Sequence, residues 1–179
     1  MKTLPLAALA LLLSSNAVSA HVVLSEPEAA PGGYYVGAFR VGHGCAGSPT
    51  TALRVEFPVE TPNAKPQPKP GWAISIEREK LSQPARGEGG ASITERVKAI
   101  TWRGRLKEEE FEDFFVRIQL PQREGALYLP AIQTCAKGEA RWVEIPAQGK
   151  PAGEHPAPKL TIAKKPAAAA PDPMAGMVH

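Results

Sequence analysis

Apolar and polar positions alternate with a two-residue period through much of residues 21–145, and no segment holds a helical period. The clearest run is 50–59. Leu53, Val55 and Phe57 fall on one face and Arg54 and Glu56 on the other, the pattern of a half-buried strand. Residues 21–28 open the series. Val22 and Leu24 face one side, His21, Val23 and Ser25 the other, and Pro27 ends the run. Strand composition recurs at 34–41, 72–76, 92–102, 114–120, 127–135 and 140–145, the last containing Trp142. Pro31-Gly32-Gly33, the glycine-rich loop 42–49 and Gly138 punctuate these runs as turns. Residues 61–71 carry Pro62, Pro66, Pro68 and Pro70, so they are expected to be extended but outside any sheet interior. Residues 77–91 read as polar and irregular, and 107–113 as an acidic loop. Roughly eight or nine short strands with frequent turns predict an all-β fold, an immunoglobulin-like antiparallel β-sandwich, with a small closed barrel as the competitor.

The two ends differ from this pattern. Residues 1–20 have the anatomy of a secretory signal: Lys2, an apolar core over 4–13, and small residues in Val18-Ser19-Ala20. The core is shorter than the roughly 20 residues of a spanning helix. Cleavage after Ala20 makes His21 the first mature residue and places the protein in the periplasm or outside the cell. No later stretch is apolar for long enough to anchor the mature chain in a membrane. The domain is expected to run over 21–158. Residues 159–179 form an Ala/Pro-rich tail, with a short strand at most over 159–163 and Met174, Met177 and His179 at its end.

Composition narrows the picture in two places. The net charge is only +3, and no basic run is interleaved with aromatics, so nothing points to nucleic acid. The 19 prolines and 16 glycines suit short strands and turns. The two cysteines, Cys45 and Cys135, are expected to form a disulfide in an oxidising compartment. A metal thiolate pair is the other reading, and the absence of C-x-x-C spacing weighs against it.

Candidate chemistry centres on the cleavage junction. A histidine with a free α-amine closes a six-membered chelate ring through that amine and Nδ1, which an internal histidine cannot do. Two such nitrogens, completed by oxygen donors, suit Cu(II), which prefers tetragonal N/O sites. The amine loses its proton near neutrality, so binding displaces a proton readily. His43, beside Cys45, reads as a loop histidine, and His155, among prolines, as a solvated one. Trp72, Trp102 and Trp142 each also read as core or turn packing. In the tail, Met174, Met177 and His179 offer two thioethers and an imidazole, a set suited to Cu(I).

Several motifs in order resemble the YcnI-like family of exported copper-binding domains. They are His21-Val22-Val23-Leu24-Ser25-Glu26-Pro27, Lys69-Pro70-Gly71-Trp72, Ile100-Thr101-Trp102, Glu110-Phe111-Glu112-Asp113-Phe114, and Gln133-Thr134-Cys135-Ala136-Lys137-Gly138 leading to Arg141-Trp142. They cover most of the mature chain. The resemblance implies an immunoglobulin-like sandwich and a Cu(II) site of the mono-histidine-brace kind. It makes His21 the brace, Glu110 the carboxylate and Trp142 the tryptophan beside copper. Glu109 is the alternative carboxylate, because Glu108, Glu109 and Glu110 follow one another where the family often has one glutamate after Pro or Gly. The implied role is a copper chaperone, buffer or delivery factor that meets another exported or membrane copper-handling protein, and not an enzyme. Two other functions are weighed against it. A copper oxidative enzyme with an N-terminal histidine needs a second histidine to complete three nitrogens. A metal-free β-sandwich interaction module gains weight only if the mature chain does not begin at His21.

Overall fold

The computed structural model describes residues 21–147, 149–151 and 153–164. The signal-like segment and the tail residues Met174, Met177 and His179 lie outside them. In chain order the strands are β1 (Val23–Leu24), β2 (Glu28–Ala29), β3 (Tyr34–Val41), β4 (Thr50–Glu56), β5 (Ala64–Pro66) and β6 (Ala73–Arg86). After a 3-10 turn at Glu88–Gly90 come β7 (Ser92–Leu106), β8 (Glu112–Gln119), β9 (Gly125–Tyr128), β10 (Ala131–Cys135), β11 (Glu139–Trp142) and β12 (Lys159–Ile162). They build a four-stranded sheet, β1-β3-β8-β5, a five-stranded sheet, β11-β10-β4-β7-β6, and a small sheet, β2-β12-β9. The fold is an immunoglobulin-like β-sandwich. Among the described residues no helix is long and apolar enough to cross a membrane.

The inward positions of the alternating strands make the core. Phe39 and Val41 of β3 and Phe114, Val116 and Ile118 of β8 are buried, as are Leu53 and Val55 of β4 and Ile100 and Trp102 of β7. The Trp102 ring lies 5.6 Å from that of Phe114, and Trp72 meets Phe114 edge-on at 4.8 Å. At the far end, the Cys45–Cys135 disulfide ties the glycine-rich loop to β10, with Cα atoms 5.9 Å apart. Beside it, the buried Gln133 amide donates to the His43 carbonyl at 2.7 Å and to Thr50 Oγ1 at 2.8 Å.

Three elements differ from the sequence expectation. The stretch expected to be irregular over 77–91 continues β6 to Arg86, paired with β7 through two register shifts. Its middle residues are charged and exposed on both faces, so no alternation marks it. Glu77 pairs with Arg54 at 2.8 Å and with Lys98 at 3.2 Å, and Glu79 pairs with Arg96. Those charges suit an edge strand, since they discourage pairing with another chain. The run 127–135 is split at Leu129 and Pro130, with β9 and β10 in different sheets. Finally, the packed unit extends past Pro158. Leu160 and Ile162 of β12 are buried between β2 and β9. Four residues are too few to show a period beside an Ala/Pro-rich sequence.

Tyr35 gives the fold a measurable signature. Its buried hydroxyl donates to the Glu26 carbonyl at 2.8 Å. Burial, and then the Glu26 charge, push its pKa up to about 12. An unfolded tyrosine titrates near 10, so the native state holds this proton more tightly. The resulting stability is complete below about pH 10 and is lost as pH rises through about 12. Urea midpoints across that range should show wild type losing roughly 2–3 kcal/mol more than Tyr35→Phe. Parallel pH curves would show that the phenol is not the source.

Candidate metal centre

His21 lies two residues before β1. That strand pairs with β3, Val23 opposite Arg40; Leu24 and the preceding Val22 are buried and Val23 is exposed. Trp142 ends β11, the edge strand of the other large sheet, opposite Ala131. Its side chain is only 3% exposed and belongs to the core cluster. The His21 imidazole meets it with ring centroids 5.0 Å apart and planes tilted by 41°. The sandwich therefore brings His21 against the end of β11, 121 positions away by the difference of the two residue numbers. Trp142 Nε1 is buried and has no hydrogen-bond partner among the described residues.

A second imidazole reaches the same indole. His155 lies edge-on to Trp142, with centroids 5.1 Å apart and planes at 68°. The chain leaving β11 doubles back to place it. Glu144 N–H donates to the His155 carbonyl at 3.1 Å, Ala157 N–H to the Glu144 carbonyl at 2.9 Å, and His155 N–H to Glu144 Oε2 at 3.0 Å. Gly153 permits this, because a Cβ there would collide with the Glu144 carboxylate. Nearby, a groove of about 480 Å³ is lined by His21, Val23, Pro27, Tyr128, Pro146 and Pro156, among others.

Glu110 sits in the turn between β7 and β8. Its Oε2 accepts from Lys107 N–H at 3.0 Å, and its carboxylate pairs with Lys107 Nζ at 3.4 Å. The Lys107 backbone bond holds its carboxyl below the ordinary range; desolvation opposes this, and the Lys107 ammonium adds to the lowering. The last β3–β8 pair is Val41 with Glu112. Glu110 therefore lies toward the same end of the sheet as His21, with β3 between them, a backbone separation of about 10 Å from strand spacing alone. Glu109 is exposed. Glu108 behaves differently from both. Its Oε2 is buried without a partner, against Gly44, where an added Cβ would collide with it. The acidic run in the sequence contains no signal that would single it out.

His43 Nδ1 donates to the Gly44 carbonyl at 2.6 Å, since a carbonyl can only accept. The structure thus brings together His21, Trp142 and His155, and engages Glu110 with Lys107. Among the described residues no group of three or more His, Cys, Asp or Glu side chains is arranged to hold a metal. A single residue that supplies two nitrogens does not need such a group. If cleavage freed its amine, His21 would offer two nitrogens, the amine and Nδ1, from one residue.

The fold is an immunoglobulin-like sandwich in which His21, two residues before the first strand, rests on a buried tryptophan. Residues 21–162 match the model of a domain of unknown function, DUF1775, and the chain belongs to that family, the YcnI-type domain. A solved structure, an uncharacterized protein from Nocardia farcinica described as revealing an immunoglobulin-like fold, is 32% identical with a TM-score of 0.62. The similarity covers 80% of this chain and 98% of that one. No curated protein matches the sequence.

Proposed function

We propose that the mature protein is an exported copper-binding protein, a chaperone, buffer or delivery factor with copper as its cargo, and not an enzyme. The contact between the His21 imidazole and the buried Trp142 indole carries this reading. Release of Ala20 gives His21 two adjacent nitrogen donors, and the family match begins at that residue. The indole packs against one side of the exposed imidazole. Glu110 supplies the carboxylate on leaving Lys107, with Glu109 as the alternative one residue earlier. Cu(II) is the cargo at this end, and Met174, Met177 and His179 form a softer set for Cu(I) on the tail. The protein works in the periplasm or outside the cell, with another exported or membrane copper-handling protein as its partner.

Titration of Cu(II) into protein beginning at His21 tests the reading. One equivalent should bind with mixed N/O ligation. A form carrying one additional residue before His21 should bind at least about tenfold more weakly, a loss of about 1.4 kcal/mol. Equal affinities would refute the N-terminal chelate. In the same titration, Glu110→Gln should weaken binding and Glu109→Gln should leave it unchanged, and the reverse would assign the carboxylate to Glu109.

A further inference from the structure

Trp142 has imidazoles at two positions on its ring, and only His21 enters the reading above. His155 is exposed, yet its backbone is pinned by three hydrogen bonds of the 144–157 clamp. The clamp is followed by Pro156, which forms a parallel bridge with Glu144 and lines the groove that His21 also lines. The segment is therefore built to hold a side chain at this place, with the imidazole edge-on to the indole. Its ring nitrogens have no hydrogen-bond partner among the described residues. The indole takes none of them, since Trp142 Nε1 is itself unpaired. The two imidazole centroids are no farther apart than their two distances to the indole, 5.0 and 5.1 Å, laid end to end.

We propose that His155 is a second imidazole donor to the Cu(II) centre at His21, so that the centre has three nitrogens, two from His21 and one from His155, gathered around Trp142. This rests on the copper reading of His21 and extends it to a residue 134 positions later, by the difference of the two numbers. Imidazole is a good donor for copper, and copper heads the divalent affinity series. A third nitrogen tightens the hold on Cu(II). It also gives the ion a point of attachment on an exposed side chain, from which a partner can take it.

The test uses full mature protein beginning at His21, with Cu(II) alone as the probe. Wild type is compared with His155→Phe and His155→Ala. Phenylalanine retains an aromatic edge on the indole and removes both nitrogens. Nitrogen modulation in the Cu(II) spectrum should report two coupled imidazoles in wild type and one in each variant. Affinity should fall by about tenfold in both variants, with melting temperature unchanged in His155→Phe. A single imidazole in wild type, with affinity unaltered in His155→Phe, would overturn the proposal and leave the His21 chelate standing. Loss of affinity in His155→Ala alone, restored by phenylalanine, would assign His155 to packing and overturn it as well. If wild type binds no better than a form extended before His21, the copper reading itself fails and takes this proposal with it.

Discussion

Replacing both Cys45 and Cys135 with alanine is expected to lower the stability of the domain by roughly 4–5 kcal/mol. The bond joins positions 90 residues apart and so closes most of the sandwich into one loop. In the chain-entropy account its effect falls on the unfolded ensemble, which gains freedom when the bond is absent. The native loop has other anchors. Gln133 holds the His43 carbonyl, and Ser48 Oγ accepts from Lys137 N–H at 2.8 Å. The variant should therefore keep a native near-UV spectrum while its urea midpoint falls. An unchanged midpoint would show that the loop anchors alone set this end's stability.

Trp142→Ala is expected to cost about 3–5 kcal/mol, the range for emptying a large buried aromatic site. The ring is 3% exposed and is part of the main core cluster, so its removal leaves a cavity at the rim of the five-stranded sheet. Trp142→Phe should cost much less. It loses volume, but it also removes an indole N–H that is buried without a partner, a group whose desolvation opposes folding by roughly 1–3 kcal/mol. Denaturant midpoints of the two variants separate these effects. A near-neutral Trp142→Ala would mean that the indole is not a structural member of the core. Trp142→Phe is then the useful variant for the copper titration, because it alters the surface against His21 while preserving the fold.

Much of the sandwich was legible in residue order because its central strands have one face in the core. Alternation puts Leu53, Val55 and Phe57 on the inner face, and all three are buried. The disulfide followed from cysteine parity and compartment, and it is present. The second half of β6 was not legible, because Glu77, Arg78 and Glu79 meet solvent or ion partners and record no inside face. The candidate site divides in the same way. His21 stands out in the sequence by following a segment with the anatomy of a signal. His155 does not, because thirteen positions and a non-repetitive, proline-containing segment separate it from Trp142, and the backbone clamp that returns it leaves no period in the sequence. The local Lys107–Glu110 pairing was hidden for a related reason. A contact three residues apart forms within the turn itself, whatever distant partner the carboxylate has in another state.

The last strand gives the second one its mechanical footing. β12 runs parallel to β2, with Thr161 beside Glu28 and Ile162 beside Ala29, and Thr161 N–H donates to the Pro27 carbonyl at 2.8 Å. β1 and β2 are two residues each, and between them the arm is held to β3 by the Ser25–Ala38 and Tyr35–Glu26 hydrogen bonds. Fraying of β12 would release β2 and slacken the chain leading back to His21, while the two large sheets stayed closed. Such partial opening belongs to the low end of a protein's ladder of local unfolding energies. Slow hydrogen exchange in the β4–β7 centre can thus coexist with fast exchange along 21–29. Whatever pulls on the end of the chain beyond Ile162 then acts, through one parallel strand pair, on the grip of its beginning.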